Sequence, residues 1–145
     1  MPISSRHNPI VARFRDAARR PGPAAPVLLD GPHLVALALD VGLTIEVAAI
    51  TERARQTAEM ARLAERLVAT GARVLTVTNA VIDALSPVRT PTGLVALGMR
   101  PGPAADRLVV PAPALVLVAV HVQDPGNVGA LVRAADAAGA TGVIT

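Results

Sequence analysis

Asn127, Gly129 and Arg133 stand at the spacing N-x-G-x-x-x-R within VQDPGNVGALVRAADAAGATGVIT. A helix through this stretch leans the Arg133 side chain back toward its own N-terminus and over position 129, where glycine leaves space. The guanidinium is thereby aimed at the turn Asp124-Pro125-Gly126-Asn127 and at the carboxyl end of the strand before it. That edge of a parallel sheet is where ligands commonly sit. An arginine there offers a planar fork of donors suited to phosphate.

The turn fits type II, with Pro125 fixing φ at the second position and Gly126 supplying positive φ at the third. Asn127 is then the N-cap of a helix running from about Val128 to Ala138, closed by Gly139. The same residues are also ordinary α/β grammar, in which Arg133 pairs with Asp136 at i+3 for roughly 0.2–0.5 kcal/mol. A third reading places a small anion at the Asn127 helix start. Spacing alone leaves these alternatives open. It does discard two motifs: GNVGAL is not G-x-G-x-x-G, and no G-x-x-x-x-G-K-[ST] occurs, so neither a dinucleotide fingerprint nor a P-loop is present.

The elements that must position this motif alternate along the chain. VLLDG (27–31) reads as a strand and HLVALALDVG as a helix closed by Gly42. EVAAIT (46–51) reads as a buried strand. TERARQTAEMARLAERLVATG reads as one helix with Ala54, Ala58, Ala61, Leu67 and Val68 on its apolar face, ended by Gly71. VLTVT (74–78) and GLVALG (93–98) are further strands with the short helix NAVIDALS between them. Such alternation predicts a mixed α/β sheet covered on both faces. MRPGPAADRLVVPAP, with four prolines and a glycine, predicts a linker at 99–113. LVLVAV (115–120) then predicts a strand buried on both faces, followed by the helix and by the strand GVIT.

Composition narrows the chemistry further. Apolar residues make up 52% of the 145, so a packed core is expected, and it must be aliphatic because Phe14 is the only aromatic residue. With no cysteine there is no disulfide, thiolate metal site or cysteine nucleophile. His7, His33 and His121 are too scattered for a zinc signature. The charged start MPISSRHNPIVARFRD lacks the apolar core of a signal peptide, and charges with Gly and Pro interrupt Val27 to Ile50, so no membrane span is predicted and a cytoplasmic protein is the default expectation. The net charge is +3, and all fourteen basic residues are arginine. Arg6, Arg13, Arg15, Arg19 and Arg20 crowd the first twenty residues against the single acid Asp16. This basic arm (1–26) suits phosphates through counterion release; a solvated helix followed by the linker RPGPAAP is the plain alternative.

LVLVAVHVQDPGNVGALVRAADAAGATGVIT closely resembles the first motif of the SpoU (TrmH-like) RNA 2′-O-ribose methyltransferases of the SPOUT superfamily, with its N-x-G-x-x-x-R signature. Upstream, SSRHNPIV resembles the family's opening, VLLDGPHLVALAL its substrate-binding domain and RTPTGLVAL that domain's end. The resemblance implies an α/β/α RNA-substrate-binding domain at 1–98 and, at 114–145, the first strand-helix-strand unit of a knotted methyltransferase domain that forms homodimers. It implies RNA rather than DNA as partner, ribosomal RNA ahead of transfer RNA, and S-adenosyl-L-methionine as cofactor.

The matched residues inherit expectations from this resemblance. Arg133 corresponds to the family's catalytic arginine at the ribose 2′-hydroxyl; because a guanidinium is a very poor base, orientation and charge stabilisation are its expected contributions. Asn127 would help position that arginine or the RNA backbone, and Gly129 would provide the close approach. The family's cofactor motifs follow this one and are not found before Thr145, so the chain is expected to be incomplete and by itself inactive. A nonenzymatic RNA-binding module is the alternative reading. With Phe14 alone, either version is expected to read folded RNA through shape and phosphate contacts rather than by stacking on bases.

Overall fold

The computed structural model describes residues 1–19, 25–102, 108, 110 and 113–145. These divide into two compact units, Met1–Gly102 and Pro103–Thr145.

The first unit is built on a four-stranded mixed sheet of β1 (Val27–Asp30), β2 (Ile45–Thr51), β3 (Arg73–Val77) and β4 (Leu94–Gly98), in the order β1-β4-β2-β3. β2 and β3 run parallel, and β4 lies antiparallel to both β1 and β2. Successive side chains of a strand point to opposite faces, so a central strand covered on both sides must be apolar at every position. β4 meets this condition throughout and β2 does so from Val47 to Ile50. Val47, Ala49, Val95 and Leu97 face one core cluster, while Ala48, Ile50, Leu94 and Ala96 face the other.

Helices α1 (Pro9–Arg19) and α5 (Asn79–Leu85) close the first face. Ile10, Val11, Phe14 and Ala17 recur at helical spacing along α1 and meet Val81, Ile82 and Leu85 of α5 there. Helices α2 (Pro32–Asp40) and α4 (Ala58–Ala69) close the second face, through Val35 and Ala38 on α2 and Met60, Leu63 and Leu67 on α4. The result is an α/β/α sandwich with an aliphatic core, and its single aromatic residue, Phe14, is fully buried.

Two sequence expectations are corrected in this unit. The helix read through residues 51–71 is two helices, α3 (Glu52–Arg55) and α4. Thr57 adopts an extended conformation between them, and its hydroxyl accepts from the Met60 amide at 3.3 Å, so it starts a new helix. The break resets the helical phase: Met60, Leu63, Ala64 and Leu67 form the buried stripe, whereas Val68 is exposed. The N-terminal arm is also part of the fold. Ile3 bridges β3 through Ile3 N to Thr76 O (2.9 Å) and Thr78 N to Ile3 O (3.0 Å), and α1 packs into the core.

The second unit carries β5 (Val116–Val118), α6 (Pro125–Ala137) and β6 (Gly142–Ile144), with β5 and β6 paired in parallel. The strand expected over 115–120 is three residues long and not buried on both faces; Val118 and Val120 are 58% and 71% exposed. Among the described residues one helix accompanies a two-stranded ribbon, which shields too little of it, and Ala135 is the only buried hydrophobic residue of this unit. No helix among the described residues is long and apolar enough to cross a membrane.

Candidate functional site

Helix α6 begins at Pro125, earlier than the sequence suggested. Asp124 is the N-cap, its carboxylate accepting from the Asn127 amide at 2.9 Å. Pro125 follows at N1, where its fixed φ suits a helix and its missing N–H costs nothing. Asn127 is therefore a third-position helical residue and not the cap, and the type II turn is not formed, since Gly126 has no positive φ. The other end behaves as read. Gly139 takes φ 74°, its amide donates to Asp136 O at 2.9 Å, and the Ala140 amide donates to Ala135 O at 2.9 Å, the paired closure of a Schellman motif.

Along this helix Arg133 folds back over Gly129. Its Nη1 lies 3.3 Å from the point a β-carbon at 129 would occupy. Gly126, Gly129 and Ala130 share that stripe at helical spacing, so the guanidinium runs over a smooth surface toward the helix start. The Asp136 pairing does not occur; among the described residues the ion pairs are Arg13–Glu46 and Arg66–Asp40. Asn127 stands about 120° round the helix from Arg133, given 3.6 residues per turn. The structure thus brings Arg133 and Gly129 together and sets Asn127 apart on the same turn-proximal end of α6. Asn127 and Arg133 are exposed and Gly129 is partly so.

The N-terminal arginines serve different ends. Arg6 Nε donates to Ala80 O at 3.1 Å, fastening the N-terminal segment to α5. Arg13 Nη2 donates to both carboxylate oxygens of Glu46 at 2.8 and 2.7 Å. The register of β2 against β4 shifts between Ile45 and Val47, and this irregularity carries Glu46 outward to meet it. Arg15 is half-buried and Arg19 is exposed in the last turn of α1, while Arg20 lies outside the described residues.

Sequence reading overlooked a polar cleft at the carboxyl ends of β2 and β3. About 560 Å³ in volume, it is walled by Arg53, Asn79, Asp83, Arg89, Thr90 and Thr92 among others. Its floor is fixed by Gly93, whose carbonyl accepts from the Thr51 amide at 2.9 Å and whose φ is 92°. The signal that could have pointed to it is R-T-P-T-G at 89–93, a turn sequence with two hydroxyls beside a cation.

The second unit also holds an apolar cleft of about 300 Å³, lined by residues such as Leu115, Leu117, Leu131 and Ala138. It presents no polar side chain, so it does not suit a cofactor that carries an adenine, a ribose and an amino acid group.

Comparison with known proteins gives this geometry a context. Residues 24–96 match the MRM3-like substrate binding domain family. An uncharacterized tRNA/rRNA methyltransferase of Synechocystis sp. is 31% identical over 97% of this chain and 51% of its own length. A crystal structure of an RNA 2′-O ribose methyltransferase superposes with a TM-score of 0.77 at 32% identity, over 99% of this chain and 54% of that one. An rRNA methyltransferase from Sinorhizobium meliloti superposes with a TM-score of 0.79 at 28% identity, over 99% and 53%, and has also been solved bound to AdoMet. The chain spans about half the length of the relatives it matches.

Proposed function

Because the chain belongs to the MRM3-like substrate binding domain family, we propose that the protein methylates a ribose 2′-hydroxyl of ribosomal RNA. Residues 1–98, within the first unit, would hold the RNA, and residues 114–145 would carry the arginine that acts on the ribose, with 99–113 between them. S-adenosyl-L-methionine would supply the methyl group from a site other than the residues described. The full protein would work as a homodimer in the cytoplasm.

The observation that carries this reading is the placement of Arg133 over Gly129 on α6. A guanidinium that is exposed and free of any carboxylate among the described residues can take the phosphate next to the target nucleotide. That contact would fix the 2′-hydroxyl in line for displacement and offset the charge that grows on its oxygen as the proton leaves. Asn127, about 120° round the helix at the same end, would hold the RNA backbone by its side-chain amide. Gly129 would keep the approach open. Ribosomal rather than transfer RNA is favoured by the separate substrate-binding unit and by the S. meliloti relative's description as an rRNA methyltransferase.

Disrupting the coding gene and mapping 2′-O-methyl nucleotides in the cell's ribosomal and transfer RNA by resistance to alkaline cleavage tests the proposal. Loss of at least one ribosomal 2′-O-methyl group, restored by the gene, is expected. An unchanged map in both RNA classes contradicts it, and a change confined to transfer RNA overturns the choice of substrate.

A further inference from the structure

We propose that the RNA-contacting face of the first unit is the cleft at the carboxyl ends of β2 and β3, where Arg53 and Arg89 hold the phosphodiester backbone, and not the arginine-rich helix α1. The inference rests on RNA being the substrate and goes on to say where it is gripped.

Arg53 and Arg89 approach the cleft from two different segments, the short helix α3 and the turn that leads into β4. Both are exposed, and neither forms an ion pair among the described residues. Thr90, Thr92 and Asn79 complete the wall. Cations spaced by neutral hydrogen-bonding groups match a sugar-phosphate chain, whose charges alternate with ribose hydroxyls. One carboxylate, Asp83, also lines the cleft, leaving it with one net positive charge. A second cleft, of about 350 Å³, shares Thr51, Arg53 and Asn79 as a common wall and adds Gln56 and Glu52. A polar surface therefore continues past Arg53, with Glu52 offsetting the remaining positive charge on its far side.

One end of this surface is tied to the sheet. The carbonyls of Gly93 and Leu94 accept from the Thr51 and Gly31 amides, both at 2.9 Å, and Thr51 is buried with its hydroxyl accepting from the Ala54 amide at 3.2 Å. Two neighbouring strand ends thus fix the turn bearing Arg89, and a preorganised turn loses less freedom on binding. By contrast, α1 spends its apolar face on the core, Arg13 is neutralised by Glu46 and Arg6 is tied to Ala80. Arg15 and Arg19 form no ion pair among the described residues, yet neither lines either of these clefts.

The test is fluorescence anisotropy of the full chain with a fluorescein-labelled ribosomal RNA hairpin, over a salt series. The variants are the cleft pair Arg53→Glu/Arg89→Glu and the matched pair Arg15→Glu/Arg19→Glu, each checked for native circular dichroism. The cleft pair is expected to weaken binding by more than about tenfold and to lower the log-log salt slope by about two, one for each lost phosphate contact. The α1 pair should weaken it by less than about threefold, the scale of a long-range charge effect. Any result in which the cleft pair loses no more affinity than the α1 pair overturns the site while leaving RNA as the partner. An unaltered chain that does not bind the hairpin at low salt overturns both the site and the RNA-binding reading.

Discussion

Arg133 lies over Gly129 so closely that a methyl group at position 129 would stand 3.3 Å from its Nη1. The contact separates stability from function at one residue. Alanine is favoured over glycine inside a helix by about 1 kcal/mol, and the far end of an arginine is free to move. Gly129→Ala should therefore raise the unfolding free energy by roughly 0.5–1 kcal/mol in urea denaturation. The same variant should lower ribose methylation in complemented cells, because the displaced guanidinium no longer reaches the helix start. Loss of stability would show that the arginine cannot yield to the methyl group, and undiminished methylation would show that the close approach has no role in the reaction.

Phe14 fills the layer between α1 and the sheet without any exposed surface. With no other aromatic residue in the chain, nothing of similar size can collapse into its place. Phe14→Ala should cost about 3–5 kcal/mol, a large share of a small domain's stability. Denaturant melts would show it as a lower midpoint, and an effect below about 1 kcal/mol would contradict the assigned packing.

Gly93 sits at φ 92°, where a β-carbon would fall 2.8 Å from Thr51 Oγ1 and 2.9 Å from the Ala54 β-carbon. Gly93→Ala thus combines a strained backbone with a clash against the residue that caps α3. It should destabilise by about 1–3 kcal/mol and weaken RNA binding by shifting the Arg89 turn. The matched substitution Gly71→Ala has a similar φ of 85° with open space around it. It should carry only the backbone part of the cost and leave RNA binding unchanged, as anisotropy and melting together would show.

Much of the architecture was legible because it rests on local rules. The apolar runs Val47–Ile50 of β2 and Leu94–Leu97 of β4 announced buried strands, and Gly42, Gly71 and Gly139 marked helix ends where positive φ is needed. What escaped depended on competition between neighbours or on distant partners. Asp124 and Asn127 are both good N-caps, and Pro125 decides between them by fitting the first helical position after Asp124. Thr57 looked like a mid-helix residue until its capping bond to Met60 broke the helix in two. The cluster of arginines near the N-terminus suggested one basic arm, but Glu46, which neutralises Arg13, is 33 residues away and reaches it through an irregularity in β2. The cleft of Arg53 and Arg89 joins segments that only the sheet topology brings to one edge.

The most direct test of the account is to compare Arg133→Ala with the unaltered protein in two measurements, ribosomal 2′-O-methylation in complemented cells and RNA-hairpin affinity in solution. Methylation is expected to fall by about 100-fold or more, with hairpin affinity within about threefold of the original. Full methylation with the alanine in place, or an equal loss of methylation and RNA binding, would contradict the division between a first unit that grips RNA and an arginine on α6 that acts on the ribose.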